Sequence, residues 1–228
     1  MMELAQARVL IVGIGGLGAP AAMHLAAVGV GTIALMDGDL LEVSNLQRQI
    51  IYRTTDLGRP KAVIAAERIG ALHPRTRLQP LHERLTASNL PQLFPQFDFI
   101  IDGTDQTESK FLINDGAITH GIPYSHAGVV GLCGQTFTIL PQRSACLRCL
   151  FPSPPDGDDL PTCQTAGVLG ALTGVIGLIQ AGEAVKHLSG EGDLLVNRLL
   201  TGDVRRQRWR HARIFPNPKC PVCRAAAR

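Results

Sequence analysis

Six positions, Gly13-Ile14-Gly15-Gly16-Leu17-Gly18, leave a short apolar run and open an Ala- and Leu-rich stretch. Glycines at such a junction let the backbone turn tightly and approach a phosphate, and the start of a helix favours an anion. Asp37 ends the next apolar run, where a carboxylate can accept hydrogen bonds from ribose hydroxyls. These two features specify a nucleotide and no more; an NAD-dependent oxidoreductase would carry both. The segment that follows, Asp37-Gly-Asp39-Leu-Leu-Glu42-Val-Ser-Asn45-Leu-Gln-Arg48-Gln49, says more. Arg48 offers five donors in a fixed fork suited to phosphate oxygens, and Asn45 adds an amide donor. Lys61, behind Gly58-Arg59-Pro60, puts a point charge at a helix start. Such a cation cluster suits a triphosphate better than a dinucleotide, although Arg48 or Lys61 taken singly would be equally at home in a solvated loop. Asp102-Gly-Thr-Asp105 closes another apolar run. Asp105 there fits Mg²⁺, which takes one or two carboxylates plus phosphate oxygens, or else the N-cap of the next helix.

The cysteines form a second constellation. Cys146-Leu-Arg-Cys149 and Cys220-Pro-Val-Cys223 supply four thiolates, the ligand set of a closed tetrahedral zinc site. Such a site is structural and would staple the C-terminal segment to the middle of the chain; redox dithiols are the weaker alternative, since neither pair has a thioredoxin-like setting. Cys163, in Thr162-Cys-Gln-Thr-Ala-Gly167, precedes a long apolar stretch and is a candidate reactive thiol or a bystander. Cys133, between Leu132 and Gly134, reads as a small core residue.

The elements that must position these residues follow from periodicity. Strands are expected at residues 8–13, 32–37, 77–81 and 97–102, and helices at 16–28, 61–72, 85–94 and 109–120. The alternation predicts an open α/β sheet with ligands at the strands' carboxyl ends. Further strands are expected at 122–125, 135–140, 194–200 and 204–215, the last two antiparallel, with a long apolar helix over 165–188. The fold class is therefore α/β: a Rossmann-like open sheet, mostly parallel, extended by antiparallel strands in the C-terminal half. One domain of 228 residues is expected, with residues 1–130 as the nucleotide-binding half. Apolar residues at 45% support a sizeable core, and charged residues at 18% exclude general disorder. A net charge of +3 does not call for nucleic acid. Residues 161–182 carry no charge, but their glycines, threonines and glutamines read as a buried helix rather than a membrane span. No signal peptide opens the chain, and sparse cysteines in metal-type spacing point to the reducing cytoplasm.

Taken in order, Gly13-x-Gly-Gly-Leu-Gly18, Asp37-x-Asp39, Asn45-Leu-Gln-Arg48-Gln49, Lys61 and Thr104-Asp105 resemble the E1-like adenylyltransferases, which include the ThiF and MoeB enzymes and the activating enzymes of ubiquitin. The resemblance runs from about Arg8 to Cys223; the Asn-Leu-x-Arg-Gln string is its specific part. It implies binding of ATP and Mg²⁺ at Gly15, Gly16, Asp37, Asp39, Asn45, Arg48, Lys61 and Asp105. In that pattern Asp37 takes the ribose, Asn45, Arg48 and Lys61 the phosphates, and Asp105 the metal. It further implies adenylylation of a small ubiquitin-fold sulfur carrier at its C-terminal Gly-Gly, zinc at Cys146, Cys149, Cys220 and Cys223, and, in ThiF-like members, a covalent role for a cysteine placed like Cys163. Residues 131–228 then form the carrier-docking and zinc half. With no sulfurtransferase domain in the sequence, sulfur is expected from a separate donor protein.

Members ordinarily begin with a helical segment bearing an Arg-Tyr-x-Arg-Gln-like string whose arginine reaches the partner subunit's ATP; this sequence has no such string. That departure leaves a degenerate binding subunit of an E1-like heterodimer as an alternative, beside the NAD-dependent oxidoreductase. Intact Arg48, Lys61 and Asp105 speak for the enzyme. Arg205, Arg206, Arg208, Arg210 and Arg213 crowd around Trp209, as a docking face for an acidic carrier or as a charged edge strand that resists aggregation. Gly170-x-x-x-Gly174 would permit close helix packing, within one chain or across a homodimer.

Overall fold

The computed structural model describes residues 3–154 and 166–223. Its strands are β1 (Arg8–Val12), β2 (Thr32–Met36), β3 (Arg77–Leu81), β4 (Phe99–Asp102), β5 (Tyr124–Val130), β6 (Cys133–Ile139), β7 (Arg198–Asp203) and β8 (Arg208–Arg213). Its helices are α1 (Gly18–Ala27), α2 (Lys61–Leu72), α3 (Leu90–Leu93), α4 (Thr107–His120), α5 (Leu147–Leu150) and α6 (Gly170–Ser189). The strands form one sheet in the order β3-β2-β1-β4-β5-β6-β7-β8. The first five are parallel, and β6, β7 and β8 are added antiparallel. This is the mixed sheet that the sequence predicts.

The register explains the two cores. Val9 pairs with Ile33 and Phe99, and Ile11 with Leu35 and Ile101. These side chains face one layer, where they pack with residues of α1, α2 and α6. Their neighbours Leu10, Ala34, Ile100 and Val12 face the other layer, with Phe111 and Ile113 of α4, Phe94, and the Cys146 and Cys220 segments. Strands apolar at consecutive positions bury both faces, which is why the runs of β1, β2 and β4 do not alternate. Every residue of β8 is exposed, so this strand is a sheet edge guarded by charge.

The order reverses between β1 and β4, so the turns after these two strands face each other across a topological switch point. They touch. Gly13 has φ +87°, and a Cβ built on it would lie 2.8 Å from the carbonyl carbon of Gly103; one built on Gly103 would lie 2.5 Å from the Gly13 oxygen. Backbone meets backbone, with no room for a side chain. The N-terminal half of α6 then lies over this region: a Cβ on Gly170 would sit 2.9 Å from the Gln47 carbonyl, and one on Gly177 2.2 Å from the Leu17 carbonyl. Gly170 thus serves packing within the chain, whereas nothing lies within 4 Å of a Cβ on Gly174.

Several elements depart from the expected bounds. Helix α1 starts at Gly18, because Gly16 and Leu17 belong to the glycine turn. The expected helix 85–94 shrinks to α3 and a 3₁₀ turn at Phe94–Gln96, since Pro91 and Pro95 interrupt it and Asn89 and Thr86 bond to each other's backbone. The β7–β8 hairpin turns at residues 204–207, where Gln207 adopts φ 51°, so Arg205 and Arg206 lie in the turn rather than on a strand. Cys133 is exposed, not a core residue. Its neighbour Gly134 faces Ile176 and Leu172 of α6, so strand alternation turns Cys133 to the opposite, uncovered side of the hairpin. Helix α6 begins at Gly170, and residues 155–165 of the expected loop and helix, Cys163 among them, lie outside the described residues. No helix among the described residues is long and apolar enough to cross a membrane.

The packing of α6 yields a paired expectation. Gly177→Ala drives a methyl into the Leu17 carbonyl and lowers the unfolding free energy by about 1–3 kcal/mol. Gly174→Ala, whose methyl meets nothing, raises it by about 0.5–1 kcal/mol. Urea denaturation of the two variants measures the contrast.

Candidate functional site: a nucleotide crevice and a four-cysteine cluster

The crevice is assembled around the 13–18 turn. The amides of Gly15, Gly16 and Leu17 donate to no partner among the described residues. They sit just before the first turn of α1, whose N-terminal residue Leu17 makes no side-chain cap. Unpaired amides at a helix start form an anion cradle. The Asp37 carboxylate steadies the turn: Oδ2 accepts the Ile14 amide at 2.8 Å and Oδ1 the Asp39 amide at 2.9 Å. Burial pushes the Asp37 carboxyl above its ordinary value, against the pull of Lys61 and these two amides.

The segment after β2 folds back beside the same turn. A Cβ on Gly16 would be 3.4 Å from the Arg48 carbonyl, and one on Gly15 3.4 Å from Gln49 Nε2. Arg48 donates one bond, from Nη1 to the Ser44 carbonyl at 3.1 Å, and its other donors have no partner among the described residues. Asn45 is buried in the 3₁₀ turn Val43–Asn45; its Oδ1 accepts the Glu42 amide at 3.1 Å, and its Nδ2, which donates to Ser44 Oγ at 3.5 Å, keeps a second proton for a ligand. The Gln49 carboxamide is buried beside Gly15, and its Oε1 has no partner.

Lys61 is the first residue of α2, as its position behind Pro60 predicts, and it is only 6% exposed. A buried cation at the positive end of a helix is unfavourable unless an anion faces it. Asp39 provides part of that charge at 3.3 Å from Nζ, but Asp39 also faces Arg84 at 2.6 Å. Asp39 is thus shared between two cations, and Asp37 also lies near enough to feel Lys61.

Asp105 is exposed and its side chain bonds to none of the described residues. The N-cap of α4 is Gln106, so the helix-capping alternative for Asp105 does not hold. An unpaired carboxylate at the carboxyl end of β4 is the oxygen donor that a hard divalent cation takes. Within the same turn Asp102 is fully buried. Burial would raise it, but Lys110, then His126 and Thr104, hold it down at about 2.

Sequence spacing does not assign Tyr52, Arg84, Lys110 or His126, because each reaches its partners in the crevice or beneath it from a separate element. Tyr52 is the clearest case: its buried hydroxyl donates to the Ile14 carbonyl at 2.7 Å and lies 3.3 Å from the Lys61 carbonyl, tying the glycine turn to the start of α2. An aromatic residue after a charged loop carries no signal of that bond.

The two Cys-x-x-Cys pairs converge as expected. Sγ of Cys146 lies 3.9 Å from Cys149 and 3.7 Å from Cys220, and Cys149 lies 3.7 Å from Cys223. Four thiolates about 2.3 Å from a tetrahedral zinc would be about 3.8 Å apart, so the cluster fits such a metal. The Asn217 amide donates to Cys149 Sγ at 3.3 Å, and thiol hydrogen bonds, that from Cys223 foremost, bring Cys146 down to about 5. The first knuckle is locked to α4: Arg148 makes a bidentate pair with Asp115 at 2.7 Å, and the Leu147 amide donates to Asn114 Oδ1.

The buried histidines set a pH limit. Burial holds His126 below its ordinary value, outweighing the upward pull of Asp102, and burial likewise lowers His187. Both bind a proton more readily when unfolded, so stability falls as pH drops below about 6.5. The urea midpoint is therefore lower at about pH 5.5 than at about pH 7.5, and His126→Asn reduces the difference.

Comparison with known proteins agrees with this geometry. The model of the ThiF family matches residues 1–222. The SAMP-activating enzyme E1 of Haloferax volcanii is 42% identical over 221 residues, covering 97% of this chain and 82% of the relative. The sulfur carrier protein adenylyltransferase of Thermus thermophilus is 39% identical over 226 residues, covering 97% and 83%, and the sulfur carrier protein ThiS adenylyltransferase of Escherichia coli 38% over 222 residues, covering 97% and 87%. Among solved structures, E. coli MccB with MccA-N7isoASN superimposes with a TM-score of 0.85 over 96% of this chain and 67% of that one; at 20% identity this likeness concerns the fold alone. The family match over nearly the whole chain, with relatives this similar, leads to one conclusion: the chain belongs to the ThiF family.

Proposed function

We propose that this chain is an ATP-dependent adenylyltransferase that activates the C-terminal glycine of a small ubiquitin-fold sulfur-carrier protein, in support of thiamine or molybdopterin synthesis. The observation that carries the reading is the crevice itself: three amides unpaired among the described residues, an arginine with spare donors and a buried lysine around one turn. Relatives named as sulfur carrier adenylyltransferases support the substrate class.

In the reaction a carboxylate oxygen of the carrier's last residue attacks the α-phosphorus. The bond to the bridging oxygen breaks, pyrophosphate leaves, and an acyl-adenylate remains. Two anions must meet, so the work of the protein is positioning and charge compensation rather than covalent catalysis. Gly15 and Gly16 cradle phosphate with their amides, Asp37 takes the ribose, and Asn45, Arg48 and Lys61 hold the phosphate oxygens. Asp39 pairs with Lys61 at 3.3 Å. Asp105 would hold Mg²⁺, whose charge would offset that of the phosphates.

Residues 1–130 then form the nucleotide half, and residues 131–228 the carrier-docking and zinc half. A cavity of about 630 Å³ on the open side of the antiparallel strands, lined by Gly128, Gln135, Asp203, Arg208 and Arg210 among others, supports docking there. Zinc at Cys146, Cys149, Cys220 and Cys223 would have no open position and so serves structure. Val175 and Leu178, exposed on α6 beside the open Gly174, support a homodimer. Cys163 is the candidate thiol for the later sulfur step, with sulfur from a separate donor protein, and the reduced cysteine cluster fits a cytoplasmic location.

Two measurements test this reading. Carrier-dependent ATP–pyrophosphate exchange is expected, lost by about 100-fold or more in Arg48→Ala with the circular dichroism spectrum unchanged, and retained in Cys163→Ser, because adenylylation needs no side-chain nucleophile. Undiminished exchange in Arg48→Ala would remove Arg48 from the phosphate site. Metal analysis is expected to find one zinc per chain, and Cys220→Ser to lose the metal together with thermal stability.

A further inference from the structure

A buried ionic cluster lies under the turn that carries Asp105, and the reaction as described does not use it. Lys110, on the first turns of α4, directs its ammonium at the Thr104 carbonyl (2.7 Å), the Ala127 carbonyl (2.6 Å) and both Asp102 oxygens (3.3 and 3.2 Å). Asp102 in turn accepts the Thr104 amide at 3.1 Å, the Thr104 hydroxyl at 2.7 Å and His126 Nδ1 at 2.9 Å. Neutral His126 therefore carries its proton on Nδ1, the nitrogen that faces the carboxylate.

Three of these bonds end on one residue. The carbonyl, amide and hydroxyl of Thr104 are all fixed, and Thr104 is the residue before Asp105, whose own carboxylate bonds to nothing among the described residues. On its other side the turn abuts the glycine loop at Gly13. A buried ion pair is weak support for stability, since attraction only about repays lost hydration; an apolar cluster would hold α4 to the sheet as well. What the ionic cluster adds is direction, because an ammonium with three protons and a carboxylate with two oxygens specify where a backbone carbonyl, amide and hydroxyl must lie.

We propose that Lys110, acting through Asp102 and Thr104, is a positioning residue that fixes the 103–105 turn against the glycine loop and so sets where Asp105 meets the metal-bound nucleotide. This inference rests on the adenylyltransferase reading. Lys110 touches no reacting atom in this arrangement; its contribution is to the geometry of a neighbour.

The test compares wild type with Lys110→Met, which keeps the stem and removes the ammonium. Calorimetry of ATP binding at graded Mg²⁺ and carrier-dependent exchange kinetics are both read. Expected is a half-saturating Mg²⁺ concentration raised by about 10-fold or more in both assays, the size usual for loss of an outer partner of a metal-binding carboxylate, with the KM for the carrier unchanged. A folded Lys110→Met protein with wild-type Mg²⁺ dependence overturns the proposal, as does a variant whose carrier KM rises in step, since that is general loosening. Should Lys110→Met not fold, Thr104→Val, which removes one hydroxyl bond to Asp102, is expected to shift Mg²⁺ dependence the same way by a smaller factor, and an unshifted Thr104→Val overturns the proposal equally. Wild type that neither binds ATP nor exchanges contradicts the adenylyltransferase reading itself, an outcome separate from a wild type that does both beside an unaltered variant.

Discussion

Everything in the crevice depends on the contact between the turn after β1 and the turn after β4. Gly13 and Gly103 meet backbone to backbone, and Gly18 completes the contact: a Cβ on Gly18 would lie 1.9 Å from the Gly13 oxygen. Without side chains there, α1 begins directly over the end of β1, and the amides of Gly15, Gly16 and Leu17 face outward unpaired. The same contact holds the turn after β4, which carries Asp105, against the glycine turn. A side chain at Gly13 or Gly103 would push the two turns apart, and one at Gly18 would break the glycine turn itself. The sheet order makes this contact available, since β1 and β4 are neighbours although 86 residues of chain lie between Val12 and Phe99.

Around this fixed point charge is arranged without full compensation. Asp39 is shared between Lys61 and Arg84, Arg48 spends one donor on Ser44, and Asp105 bonds to none of the described residues. By contrast, the charges one layer below are saturated, with Asp102 accepting from four groups of Lys110, His126 and Thr104. Groups that are paired give the crevice its shape, and groups left unpaired face a ligand. That division separates the structural from the ligand-facing residues better than residue type does.

Most of the sheet was legible in the sequence. Strands β1, β2 and β4 are buried on both faces and so read as unbroken apolar runs, and Lys61–Leu72 and Arg77–Leu81 lie where the sequence puts them. The motif residues were legible because the glycine turn, Asp37, Arg48 and Lys61 carry their chemistry in their type. What failed was local. The hairpin turn lies at residues 204–207 rather than at Thr201-Gly202-Asp203, whose turn-type residues fall within β7, and the burial of Cys133 depends on which side of the hairpin α6 covers. Tyr52, Lys110 and His126 were invisible for a deeper reason: their partners are backbone carbonyls and a carboxylate from other elements, and such meetings leave no spacing in the chain. The four-cysteine cluster was the opposite case, since two Cys-x-x-Cys pairs announce a shared site across 70 intervening residues.

The central claim is that the cradle and its cations grip a magnesium-bound triphosphate. Isothermal calorimetry of ATP with Mg²⁺ against the metal-loaded chain tests it most directly. The account predicts saturable heat at one nucleotide per chain, strengthened by a carrier ending in Gly-Gly. Absence of heat from folded protein, with and without that carrier, would contradict it.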